Sequence, residues 1–140
     1  MYFKANMKIT LCGSLKFYKE MRKIEDYLSK NGHEVLLPVE IEDINYNKKT
    51  PEQGISNIIN GDLIRKHYKK ILQFDAVLII NFDKNNINNY IGGNTFLEAG
   101  FAHVNNKKLF ILNEIPRELN YYEELMGMEP NIINGDLSKI

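Results

Sequence analysis

The sequence predicts an α/β domain in which a parallel sheet is covered by helices. Three observations carry this expectation. Short apolar runs alternate with stripes of helical spacing along the chain. The run Ala76–Ile80 (AVLII) is apolar throughout, as in a central strand covered on both faces. Glycine, proline or asparagine punctuates the ends of these segments.

The elements follow in order. Met7–Cys12 (MKITLC) reads as a strand ending at Gly13. Phe17, Met21, Ile24 and Leu28 recur at helical spacing, and Asn31-Gly32 stops that helix. His33–Leu37 (HEVLL) reads as a second strand closed by Pro38, and Glu40 to Gly54 as a long loop without a clean period. Ile59, Leu63, His67 and Ile71 form the stripe of one further helix. After the strand Ala76–Ile80 comes a polar loop, Asp83–Gly93, with an asparagine-rich patch at Asn85–Asn89. Thr95–Val104 then reads as a helix rich in small residues, Leu109–Leu112 as a strand, Leu119–Met126 as a short helix and Asn131–Ile133 as an edge strand. Strand–helix alternation of this kind gives a parallel sheet with helices on both faces. The expected arrangement is a flavodoxin-like (Rossmann-like) three-layer sandwich, with five parallel strands in the order 2-1-3-4-5. Ligands in such folds bind beyond the carboxyl ends of the strands, at the switch point between strands 1 and 3.

The chain of 140 residues fits one domain. Lysine plus arginine equal aspartate plus glutamate at 18 each, so long nucleic acid is not an expected partner. Residues 1–70 carry 13 basic and 9 acidic groups and residues 71–140 carry 5 and 9, an asymmetry suited to a small anion. The single cysteine, Cys12, excludes an intrachain disulfide. With neither a signal-peptide pattern nor an apolar run of membrane-spanning length, a cytoplasmic protein without a membrane partner is expected.

Two stretches at the expected ligand edge carry chemistry. In Cys12-Gly13-Ser14-Leu15-Lys16, Gly13 lets the backbone approach a ligand, Ser14 can hold an oxyanion or simply cap the next helix, and Lys16 adds positive charge. In Gly92-Gly93-Asn94-Thr95-Phe96-Leu97-Glu98, paired glycines expose backbone and the helix start puts Glu98 in its first turn, where the dipole favours an ionised carboxylate. The same spacing, Thr95-x-x-Glu98, is also a capping box, and on spacing alone capping takes precedence.

The LCGS turn after the first strand, Asp75 opening the central strand, and GGNTFLEAG opening a helix resemble the nucleoside 2-deoxyribosyltransferase family, which includes the 2′-deoxynucleoside 5′-phosphate N-hydrolases. The resemblance spans about Met7 to Leu112. It implies a homo-oligomer, no metal or organic cofactor, and a glutamate nucleophile at Glu98 that forms a covalent deoxyribosyl-enzyme. Ser14 and Lys16 match the turn that holds substrate in the 5′-monophosphate hydrolases, which favours a nucleotide over a free nucleoside. Gly13, Gly92, Gly93 and Asn94 are the backbone candidates for substrate contact, and Asp83 a side-chain one.

Three departures stand out. His67 occupies a position where many members carry an aspartate; it reads either as a core histidine or as a proton donor or acceptor near the sugar. Gly92 stands where the transferase branch has Asp and the phosphohydrolase branch often has Ser, so the branch is left open. The segment after Leu112 does not align. His33, His67 and His103 lack metal-ligand spacing. Asp75 reads as structural, and Tyr121, Tyr122, Met126 and Met128 as an amphipathic cover. The competing readings are a non-catalytic nucleotide sensor on the same fold and a glycohydrolase of a larger nucleotide such as NAD.

Overall fold

A computed structural model describes residues 6–38 and 50–140. Within them the order is β1 (Lys8–Cys12), a 3-10 turn (Leu15–Phe17), α1 (Tyr18–Lys30), β2 (Glu34–Leu36), α2 (Pro51–Gly61), α3 (Leu63–Leu72), β3 (Ala76–Ile79), α4 (Gly93–Val104), β4 (Lys108–Ile111), α5 (Tyr122–Gly127) and β5 (Asn131–Ile132), closed by a second 3-10 turn (Leu137–Lys139). All strand pairs are parallel, in the order β2-β1-β3-β4-β5. This is the flavodoxin-like arrangement.

Alternation along the strands sorts two apolar layers. Ile9 and Leu11 of β1 join Ala76, Leu78 and Ile80 to pack against Met21, Ile24 and Leu28 of α1. Cys12 faces the other way, with Val77, Ile79 and Ile111, in the layer formed by Ile71 of α3, Ala99 and Ala102 of α4 and Leu125 of α5. That parity puts the side chain of Cys12 under α3 and α4. Thr10 of β1 is fully buried, and its hydroxyl has no hydrogen-bond partner among the described residues.

The sequence expectation fails locally in three places. The stripe Ile59–Ile71 forms two helices, because Asp62 adopts a left-handed conformation (φ 50°) that ends α2 and precedes α3. Residues 51–54 of the expected loop are helical, since Thr50 and Gln53 form a capping box with Pro51 at the first helical position; residues 40–49 of that loop lie outside the described residues. Thr95 does not start α4. Gly92 is its N-cap, with no side-chain cap, and Thr95 lies inside the first turn. Glu98 therefore lies in the second turn of α4, not in the expected first turn, and forms no capping box with Thr95.

At the amino edge, the Asp75 carboxylate accepts the Lys8 amide at 2.8 Å, the structural role expected for it. Among the described residues no helix is long and apolar enough to cross a membrane.

Candidate functional site

The carboxyl ends of β1 and β3 meet where Gly13 crosses Ile80. A Cβ on Gly13 would lie 2.6 Å from the Ile80 carbonyl oxygen, so only glycine permits this approach. The crossing aims the backbone of residues 13–16 across the top of the sheet. Ser14 caps the 3-10 turn through the Lys16 amide, and its hydroxyl also accepts from Lys84 Nζ at 2.9 Å.

Lys84 escaped the sequence reading. It is held by a tight hairpin in which the amides and carbonyls of Lys84 and Ile87 pair reciprocally, with Asn85 and Asn86 both at positive φ. Asparagine tolerates that conformation well, and two such residues in succession suit the twist of a two-residue hairpin. The asparagine-rich patch is thus a turn signal. The ammonium of Lys84 also lies 5.8 Å from the ring centre of Tyr90, and Tyr90 in turn borders Gly92. Ser14, Lys84, Tyr90 and Gly92 form one continuous polar edge. The Lys16 side chain is exposed. Asp83 uses its carboxylate to accept the Asn89 amide at 3.0 Å, so it organises the hairpin.

Asn81, fully buried, ties the loops after β3 and β4 together. Its amide donates to the carbonyls of Asn89 and Asn113, its oxygen accepts the Asn113 amide, and Asn113 donates back to the Asn81 carbonyl. This clamp fixes the edge on which the site rests. Tyr121 stacks on Phe96 and donates to the Ile91 carbonyl, bracing the start of α4 from the far side. Tyr122 and Met128 pack against the same apolar layer, while Met126 is exposed.

α4 begins with Gly92-Gly93-Asn94, where Gly93 has open space in front of it and no side chain caps the helix. One and a half turns later Glu98 points inward, and its side chain is only 8% exposed. His67 on α3 lies beside it, with Nδ1 3.1 Å from a carboxylate oxygen. An ionised carboxylate only accepts, so with Glu98 ionised His67 Nδ1 carries the hydrogen of this bond. In the neutral imidazole Nε2 is then a base. His67 is 36% exposed, so it belongs to the rim of the site and not to the core.

Cys12, the last residue of β1, is buried beneath α3 and α4 in the layer that also holds Ala99. Burial, followed by the negative charge of Glu98, pushes this thiol well above its ordinary range, with partial relief from Lys70 of α3. Cys12 is therefore protonated at neutral pH and is no thiolate nucleophile. A narrow recess between α2, α3 and α4 opens onto Glu98, lined by Ile58, Leu63, Ile64, His67, Asn94, Leu97 and Phe101. A wider groove lies at the opposite, amino edge of the sheet, along Met7, Lys108, Asn131 and Lys139. It has no comparable acid–base pair, so the chemistry points to the narrower recess.

The structure thus brings Glu98 and His67 together, sets Gly13 and Ser14 on the same edge through Cys12, and places Gly92, Gly93 and Asn94 at the open start of α4. Among the described residues no group of three histidine, cysteine, aspartate or glutamate side chains is arranged to hold a metal ion. Comparison with family models, with curated proteins and with solved structures found no match.

Proposed function

We propose that this chain cleaves or transfers at the N-glycosidic bond of a 2′-deoxynucleoside or its 5′-monophosphate, as in the nucleoside 2-deoxyribosyltransferase type of enzyme that its motifs resemble. The observation that carries the reading is the buried Glu98 carboxylate beside His67, at the carboxyl edge between β1 and β3. A carboxylate held away from water needs a compensating task.

In the first step Glu98 attacks C1′ of the sugar. The C1′–N bond breaks, and its electron pair leaves with the base, which takes up a proton. In the second step water or another base attacks C1′ and the ester bond to Glu98 breaks, releasing the carboxylate. With His67 Nδ1–H donated to Glu98, the Nε2 lone pair can accept the proton of an attacking water. The edge formed by Ser14, Lys84 and the open start of α4 suits the anionic end of a nucleotide. The exposed apolar side chains Ile59, Ile64, Leu97 and Val104 on α2, α3 and α4 favour a homo-oligomer.

The test is incubation with a panel of deoxynucleosides and their 5′-monophosphates, followed by chromatography for released base. Release that Glu98→Gln abolishes is expected. Saturable binding without release from any panel member would point instead to a nucleotide sensor.

A further inference from the structure

A carboxylate that attacks a sugar must be reached by it, and Glu98 is closed in. The recess that opens onto it offers about 20 Å³. That is room for about one water molecule, whereas clefts that hold ligands enclose roughly 300–1,000 Å³. Part of its wall must therefore move. The α3–α4 seam is firmly closed. Tyr68 meets Phe101 edge to face at 5.2 Å, and His67 pairs with Glu98 across it. Ile71 of α3 and Ala99 and Ala102 of α4 are buried in the layer on the sheet. α2 differs on each count. None of its residues is buried, and Ile55 and Ile59 are more than half exposed. It packs on α3 and contributes Ile58 alone to the recess wall.

We propose that α2 is a lid over Glu98, swinging on the joint at Gly61–Asp62 to lift Ile58 out of the recess and open the space between α3 and α4 to the substrate. The joint is one residue long. Asp62 follows Gly61, ends α2 and precedes α3 in a left-handed conformation (φ 50°). Hinges are a few element-terminal residues that absorb a change in φ and ψ. A residue leaving the left-handed region re-aims the helix before it and leaves the helix after it in place. The contact across the joint is an exposed Asp62–Arg65 pair at 3.1 Å, of a class that contributes little. At the other end the Thr50–Gln53 capping box closes α2 on itself, so the helix moves as a unit. With the lid down, Ile58 joins Leu97 and Phe101 in keeping water from the Glu98–His67 pair.

The role in turnover rests on the function proposed above, so the first arm needs no activity. Ile58→Cys and Leu97→Cys place one thiol on α2 and one on α4, both in the recess wall. A short reducible bis-maleimide joins them, while Cys12, 1% exposed, is out of its reach. A water-soluble carbodiimide with glycinamide then labels carboxylates, and mass spectrometry reads the peptide that carries Glu98. The reagent is far larger than one water, so Glu98 reacts only when the lid is open. Labelling should be roughly tenfold slower or more in the linked protein and recover on reduction. Equal rates, or no labelling in either form, overturn the lid. The protein is tested as it assembles, since a partner copy seated on Ile59 would pin α2 and make the rates equal.

The second arm follows base release by the same sample, with the reduced protein as its own reference. Release should fall roughly tenfold or more on linking and return on reduction. Release that linking leaves unchanged overturns the gating role. If the double variant does not fold, hydrogen exchange on the native chain decides. The amides of α2 should then exchange roughly tenfold faster or more than those of α4, and equal protection overturns the lid. If the native protein releases no base, the proposed function fails, while the labelling arm still decides whether α2 opens over Glu98.

Discussion

Replacing Glu98 by glutamine separates chemistry from architecture. Glutamine keeps the shape and one acceptor oxygen but removes the charge that would attack C1′. Glu98 caps nothing, since α4 starts at Gly93 with Gly92 as its N-cap and no side chain caps it. The roughly 0.5–2 kcal/mol that a capping residue contributes is therefore not at stake. What changes is a hydrogen bond to a charged group, worth roughly 1.5–3 kcal/mol, which becomes a neutral one worth about 1 kcal/mol. Against this loss stands the relief of burying a neutral amide in place of a carboxylate whose side chain is 8% exposed, a gain of roughly similar size. The two nearly cancel, so the melting temperature should move by no more than about 4 °C, the equivalent of roughly 1 kcal/mol in a domain of this size. Turnover, losing its nucleophile, should fall roughly a thousandfold or more. Calorimetry and single-turnover base release on the same sample test both limbs. A large thermal shift with activity intact would refute the reasoning and make Glu98 a structural residue.

Four further outcomes are expected. Lys84→Ala should weaken a monophosphate more than its nucleoside, by the ~1.5–3 kcal/mol of a charged hydrogen bond, and Lys16→Ala should do so less, because only Lys84 is anchored on Ser14; titration calorimetry with both ligands checks the order, and equal losses would remove Lys84 from phosphate recognition. Gly13→Ala should destabilise the fold by roughly 1–3 kcal/mol in urea, because the new methyl meets the Ile80 carbonyl oxygen at 2.6 Å. The raised Cys12 thiol stays protonated in the folded chain while the unfolded chain ionises, so the stability it contributes is intact below about pH 9 and declines as pH rises from there through the folded value, by up to about 1.4 kcal/mol per pH unit; denaturation across that range should show a slope that Cys12→Ala lacks. Light scattering at micromolar concentration should give a dimer or larger, and a monomer would contradict the homo-oligomer inferred from the exposed Ile59, Ile64, Leu97 and Val104.

The sheet was legible because its information is local and redundant. Ala76–Ile80 could only be a covered strand, and alternation with helical stripes dictated parallel pairing. The break at Asp62 was not legible. A stripe at i, i+4 continues across a kink whenever both helices pack on the same neighbours, so Ile59 and Ile71 matched one period while belonging to two elements. Residues 51–54 were misread for the opposite reason. The apolar period was weak there, while the start signals, Thr50, Pro51 and Gln53, were all present and should have outweighed it.

The site divides along a similar line. Gly13 and Ser14 were readable from the strand-to-helix turn, and Gly92-Gly93 from its glycines. Lys84 was not, because its pairing with Ser14 spans 70 residues and depends on a hairpin whose asparagine signature passed for generic polarity. Thr95-x-x-Glu98 shows why spacing alone misassigns a glutamate. The capping box needs Thr95 outside the helix, and a glycine pair just before it moves the start three residues back. Glu98 then turns from the helix end toward the sheet, where neither water nor the first-turn amides can satisfy it. A carboxylate in that position must be held by a side chain from another element, and His67 of α3 lies 3.1 Å from it. That pairing, made across 31 residues of sequence, separates this glutamate from a cap, and it follows from the packing of α3 beside α4 on one face of the sheet.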